Sequence, residues 1–146
     1  MGSLGAILLA AGASTRMGSV KQLLPWKKST LLEHSVQQLK HSEIHNVVVV
    51  LGANAKHICE KVNFDDVDVA VNPDWEKGMA TSIATGMLFL LKKIPDIESL
   101  LVALADQPLL DYKYYKKLID KSLTSTNKIV ASSYSTELGV PAIFDR

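Results

Sequence analysis

The chain has 146 residues, a length that suits one domain with a sizeable core. Sixteen Lys and Arg against fifteen Asp and Glu leave a formal charge of +1. That balance lacks the basic excess of a protein working on nucleic-acid backbones. Hydrophobic residues at 47% and charged residues at 21% exclude an acidic, disordered chain. The single cysteine, Cys59, excludes an intramolecular disulfide and fits a reducing cytoplasm.

The apolar opening over residues 5–11 resembles a signal-peptide core, but no positively charged segment precedes it. Ala6 stands where a myristoylation signal wants Ser or Thr, and no apolar run approaches the roughly 18 residues of a membrane span. The opening therefore reads as the first strand of a soluble chain, over residues 5–10. A glycine-containing loop follows, and then a helix over 31–39 opened by Thr30-x-x-Glu33, the pattern of a capping box. Val47 to Leu51 is apolar without alternation, as expected of a strand covered on both faces. Next come a helix over 54–61, a strand over 67–71, a helix over 78–91 and a strand over 100–104. A helix over 111–122, with Tyr115, Leu118 and Ile119 as its buried stripe, precedes strands over 129–132 and 142–144. Strand–helix alternation of this kind predicts an α/β fold, a doubly wound and mostly parallel sheet in three layers, α/β/α. In such sheets ligands sit beyond the carboxyl ends of the strands, where the winding reverses.

Two of the loops that follow strands carry chemistry. In the first, Ala11-Gly12-Ala13-Ser14-Thr15-Arg16-Met17-Gly18-Ser19-Val20-Lys21, small residues let backbone N–H groups approach an anion. Arg16 adds a fork of donors and Lys21 a compact charge, both suited to phosphate oxygens. The loop is not a P-loop, because the spacing between Gly12 and Gly18 is one residue too long and Ser19 follows. It is not a dinucleotide fingerprint either, because Ser14 replaces the second glycine. An ordinary βα turn with two solvated cations stays open on composition alone. The second loop, Asp106-Gln107-Pro108, puts a carboxylate at the end of a buried strand. Asp106 can there hold Mg²⁺ against phosphate oxygens, or it can simply start a turn. Between the two, Gly78 to Ser82 opens a helix whose N-terminal N–H groups suit an anion or need only a cap.

Taken together, Leu9-Ala10-Ala11-Gly12, Arg16-Met17-Gly18, Lys21-Gln22-Leu23-Leu24-Pro25, Asn72-Pro73-x-Trp75-x-x-Gly78-Met79-x-x-Ser82, Asp106-Gln107-Pro108 and Gly139-Val140-Pro141 resemble the MobA-like NTP transferases. The resemblance is to their molybdenum cofactor cytidylyltransferase (MocA-like) branch in particular. It covers residues 5–144 and implies a Rossmann-like fold of the nucleotide-diphospho-sugar transferase type. It assigns nucleotide binding to Ala10, Ala11, Gly12, Ala13, Ser14, Thr15, Arg16, Lys21, Asn72, Gly78 and Ser82. It assigns catalysis to Arg16, Lys21 and Asp106, and the Mg²⁺ to Asp106. The Gly139-Val140-Pro141 step is expected near the acceptor. The family pattern continues past Arg146 to a Gly-Asp with a second metal carboxylate, so residues 1–146 are expected to form one nucleotidyltransferase domain lacking that C-terminal part.

Other constellations are set aside. His41 and His45, with Glu43 between them, have Zn²⁺ spacing on a helix but no third ligand. Cys59 reads as a helix core position and Met87 to Leu91 as core. Tyr112, Tyr114 and Tyr115 among lysines read as an amphipathic helix, not a stacking surface for nucleic acid.

The resemblance implies a cytoplasmic, Mg²⁺-dependent nucleotidyltransferase that moves CMP from CTP to molybdopterin carrying molybdenum and releases pyrophosphate. A xanthine-dehydrogenase-like molybdoenzyme is the implied partner, with no nucleic acid and no membrane. Ala11 favours CTP, since the guanylyl branch carries Gly there, but one methyl discriminates by only ~1–3 kcal/mol. A guanylyl- or sugar-phosphate nucleotidyltransferase stays open, as does a non-catalytic nucleotide-binding chaperone for molybdoenzyme assembly.

Overall fold

Strand β1 (Leu4–Ala10) has no polar face, because helices cover both sides of it. Ala6, Leu8 and Ala10 point into one core, and Ile7 and Leu9 into another. The computed structural model describes residues 3–13, 20–64, 66–134 and 137–146. Ser14, Thr15 and Arg16, expected at the nucleotide, lie outside the described residues.

After β1 come a single 3-10 turn (Lys21–Leu23), a small hairpin of β2 (Pro25–Trp26) and β3 (Ser29–Thr30), and helix α1 (Leu31–His41). Then follow β4 (Asn46–Leu51), α2 (Ala55–Lys61), β5 (Asp68–Val71), α3 (Met79–Lys93), β6 (Ser99–Leu104), α4 (Tyr112–Thr124), β7 (Ile129–Tyr134) and β8 (Glu137–Asp145). The main sheet has the order β5-β4-β1-β6-β8-β7. β5, β4, β1 and β6 are parallel, while β8 runs antiparallel to both its neighbours. The chain winds from β1 outward to β4 and β5, then returns to place β6 on the other side of β1. The carboxyl ends of β1 and β6 therefore flank the point where the winding reverses.

The expected three layers are present. α1, α2 and α4 send Leu32, Val36, Leu39, Ile58, Tyr115, Leu118 and Ile119 into one core, and α3 sends Leu90 into the other. The capping box also forms: Thr30 Oγ1 accepts from the Glu33 amide at 3.1 Å, and Glu33 Oε1 accepts from the Thr30 amide at 3.2 Å. It satisfies two backbone donors at the start of α1.

Three details depart from expectation. Met87 and Leu88 are exposed, at 37% and 65%, and not core. α3 meets the sheet along the single stripe Ser82, Gly86 and Leu90, one face of a helix. The approach is close, since a Cβ on Gly86 would stand 2.7 Å from Ile7 Cγ2. Cys59 is likewise exposed, because the short α2 buries only Ile58. β8 is much longer than the expected 142–144 and takes in Gly139 and Pro141. The register shift opposite Ala131 and Ser132 accommodates them, a bulge being one place where a strand tolerates proline.

Candidate nucleotide site

The loops after β1 and β6 begin by extending the sheet. The Ala105 amide donates to the Leu9 carbonyl and the Ala53 amide to the Ala11 carbonyl, each at 3.0 Å. The residues that leave these strands thereby start from fixed positions. Above them opens a cleft of about 710 Å³, within the roughly 300–1,000 Å³ usual for small-molecule sites.

Its walls bring together most of the expected residues. Ala10, Ala11, Gly12 and Ala13 come from the first loop, Lys21 from the 3-10 turn, Gly78 and Ser82 from the start of α3, and Asp106 from the loop after β6. Lys21 Nζ lies 3.5 Å from Asp106 Oδ2, both side chains about half exposed. A cation and a carboxylate thus stand side by side at the switch point. Gly78 has φ +113, a conformation that glycine adopts most easily, and it delivers the chain from the turn at Trp75–Lys77 into α3.

Asn72 is placed differently. It is 2% exposed and does not line the cleft. Its Nδ2 donates to Thr81 Oγ1 at 2.8 Å and to Ser82 Oγ at 2.9 Å, while its Oδ1 accepts from the Asp74 amide at 2.9 Å. These three hydrogen bonds hold the first turn of α3 against the segment after β5. Ser82, at the cleft wall, is held by this contact.

Several wall residues were not singled out from the sequence. Trp75 and Met79 stood in a quoted motif without a role, and Leu31, Glu76 and Leu104 carried no signal. Trp75 packs directly on Gly52, where a Cβ would meet Trp75 Cβ at 2.5 Å and the Ala11 carbonyl oxygen at 2.9 Å. Gln22 is 8% exposed and also lines the cleft. The Gly139-Val140-Pro141 step reaches the second loop through one bridge: Gln107 Nε2 donates to the Tyr134 hydroxyl at 3.1 Å, which donates to the Val140 carbonyl at 2.7 Å.

The donor set can be weighed against a divalent ion. Among the described residues no group of three or more His, Cys, Asp or Glu gathers, so a fully protein-built cage is not present among them. Asp106 offers a hard oxygen donor at the cleft, and Glu76 is a second carboxylate on its wall. That suits Mg²⁺, which is commonly held by one or two carboxylates together with substrate phosphates and water.

The expectation of a nonmembrane chain meets one fact: among the described residues no helix is long and apolar enough to cross a membrane.

Comparison with known proteins agrees with this architecture. The nicotine blue oxidoreductase of Paenarthrobacter nicotinovorans is 41% identical over 70% of the chain and 48% of its own length. The molybdenum cofactor cytidylyltransferase of Escherichia coli (strain K12) is 31% identical over 57% of the chain and 43% of its own length. The chain thus spans about half the length of these curated relatives. Among solved structures, Rv0371c from Mycobacterium tuberculosis H37Rv superposes with a TM-score of 0.83 at 27% identity, covering 99% of this chain and 72% of that one. A structure of the same protein complexed with manganese superposes at 0.77 with 25% identity, covering 99% and 71%. Residues 6–146 match the MobA-like NTP transferase domain. With relatives of both names, the match is consistent with a MocA-like branch, and the chain belongs to the MobA-like NTP transferase family.

Proposed function

We propose that this domain transfers CMP from CTP to molybdopterin carrying molybdenum, releasing pyrophosphate. The observation that carries the reading is the pairing of Lys21 with Asp106 at the switch point, 3.5 Å apart, beside the small-residue stretch from Ala10 to Ala13. An oxygen of the acceptor phosphate forms a bond to the α-phosphorus as the bond from that phosphorus to the pyrophosphate oxygen breaks. No enzyme nucleophile takes part, so the protein's work is positioning and charge neutralisation. On this reading Lys21 and Arg16 offset charge on the triphosphate, and the small residues from Gly12 to Thr15 are the stretch that would cradle it. Asp106 would hold Mg²⁺, which would supply charge neutralisation at the phosphates. Gly78 and Ser82 bring the start of α3 to the same cleft, with Asn72 behind them.

CTP is favoured by Ala11, and the molybdopterin acceptor by the cytidylyltransferase among the relatives. A cytoplasmic setting and a xanthine-dehydrogenase-like partner belong to the same reading. The test supplies each of the four NTPs with Mg²⁺ and molybdenum-loaded molybdopterin and follows pyrophosphate. Turnover with CTP is expected, and turnover with GTP alone would overturn the cytidylyl assignment.

One observation favours a second reading. The relative named an oxidoreductase is the more similar of the two curated proteins, at 41% against 31%. On that reading the cleft takes a nucleotide-containing hydride donor and no pyrophosphate is made. Consumption of NADH or NADPH by an added electron acceptor, with no pyrophosphate from any NTP, would install it.

A further inference from the structure

Gln22 sits beside Lys21 on the 3-10 turn and is one of six buried polar side chains among the described residues, with 8% of its surface exposed. Its amide nitrogen reaches back across the first loop. Nε2 donates to the Ala10 carbonyl at 2.8 Å and to the Gly12 carbonyl at 3.2 Å. Both N–H bonds of the amide are spent there, on two carbonyls of the stretch that lines the cleft. Its Oε1 is buried and has no partner among the described residues. Reversing the amide would set Oε1 against two carbonyl oxygens, so the hydrogen-bond pattern fixes its orientation.

The consequences are geometric. One side chain ties the outgoing stem of the loop, at Ala10 and Gly12, to the returning stem that carries Lys21. The two stems are otherwise separated by the whole of residues 13–20. Planar trans peptides make the 10–11 and 12–13 amides point their N–H groups opposite to the carbonyls that Gln22 holds. Fixing these two carbonyls therefore fixes the direction of the Ala11 and Ala13 N–H groups. Only the donor end of Gln22 is used, so a side chain of the same size without donors cannot replace it.

We infer that Gln22 is a positioning residue for nucleotide binding: its amide clamps the two stems of the first loop, presetting the Ala10–Ala13 backbone and Lys21 for a triphosphate. The inference rests on the nucleotide reading of the cleft. It assigns Gln22 no contact with the reacting atoms. Losing the clamp leaves two carbonyls of the loop without their donor, and an interaction of this kind corresponds to about tenfold or more in binding.

The test compares the natural chain with Gln22→Met, which keeps size and apolar stem, and Gln22→Glu, which puts a carboxylate against the same carbonyls. Two measurements are made on each: hydrogen exchange without ligand, and titration with each of the four NTPs in Mg²⁺. The expected result is faster exchange confined to residues 9–24, and nucleotide affinity weakened about tenfold or more in both variants. In the transfer assay the KM for nucleotide should rise in step, while kcat at saturating nucleotide and the KM for the acceptor stay within about twofold. Should the Glu variant fail to fold, the Met variant alone carries the comparison. Unchanged exchange or unchanged affinity in a folded Met variant would overturn the assignment while leaving the nucleotide reading standing. A natural chain that binds none of the four NTPs would overturn both.

Discussion

Lys21 and Asp106 answer each other across the switch point: the ammonium of one lies 3.5 Å from a carboxylate oxygen of the other, on loops that leave the adjacent parallel strands β1 and β6. On the proposed function a triphosphate would draw Lys21 and a divalent ion Asp106, so a metal–nucleotide complex would satisfy both at once. The half-exposed pair contributes little to stability, of order 0–1 kcal/mol for a solvent-accessible pair, so its substitution tests function with the fold kept.

Asp106→Asn should therefore remove metal-dependent turnover by about a hundredfold or more, the scale lost when a group stabilising transition-state charge is removed. The thermal midpoint should move by no more than a few degrees, since the ion pair is weak. Steady-state pyrophosphate release across a Mg²⁺ series, beside a melting curve, checks both parts. Undiminished turnover would end the case for Asp106 as the metal carboxylate.

Lys21→Ala should weaken CTP far more than CMP, because the proposed function assigns its charge to the triphosphate and not to the base or ribose. The loss for CTP should be about tenfold or more and should shrink with added salt, as a half-exposed charge is screened within ~10 Å at 0.1 M. Calorimetric titration with CTP, CDP and CMP at two salt concentrations gives the series. Equal loss for all three nucleotides would place Lys21 elsewhere.

Much of this was legible before any coordinates, for physical reasons that differ by element. Val47 to Leu51 declared a doubly covered strand by having no polar face, and Thr30 with Glu33 declared a helix start by their reciprocal capping. Lys21 and Asp106 stood in the loops that follow strands, where a doubly wound sheet places its ligands. Their pairing could not be read, because it depends on β1 and β6 being neighbours across the winding reversal. Gln22 was equally hidden: a glutamine beside a lysine looks like surface, and only the turn at Lys21–Leu23 aims it back at Ala10 and Gly12. Met87 and Leu88 show the opposite error. An apolar run in a helix reads as core, yet α3 touches the sheet with one stripe and leaves those two outside. Asn72 was counted among nucleotide contacts by its motif, and the fold uses its side chain to hold Thr81 and Ser82.

Tyr115 ties stability to alkaline pH. It is 1% exposed in the core under α4, and burial, with lesser help from Tyr134, Asp111 and Tyr114, pushes its hydroxyl up from 10.0 to about 12. The folded state holds this proton more tightly than the unfolded chain does. Its stabilising contribution is thus complete below pH 10, and it is lost as pH rises from 10 toward 12. The amount is about 2–3 kcal/mol for a shift of this size. Urea midpoints taken at about pH 8 and about pH 11 should fall for the natural chain, and Tyr115→Phe should flatten that fall. The same slope in both proteins would show that another group titrates.

Gly52→Ala probes how the cleft wall is built. The added methyl would stand 2.5 Å from Trp75 Cβ and 2.9 Å from the Ala11 carbonyl oxygen. The second neighbour is backbone, hydrogen-bonded to the Ala53 amide at 3.0 Å, and cannot rotate aside as a side-chain tip can. Either Trp75 is pushed into the cleft or the Ala11 peptide shifts, and both change the nucleotide pocket. Overpacking of this kind costs ~1–3 kcal/mol, which a urea titration resolves. Nucleotide affinity should fall together with stability, whereas Gly86→Ala, clashing with Ile7 at 2.7 Å one turn further along α3 than the cleft residue Ser82, should cost stability with a smaller effect on affinity. Equal effects of the two substitutions on nucleotide binding would mean that the wall at Gly52, Trp75 and Ala11 does not shape the pocket.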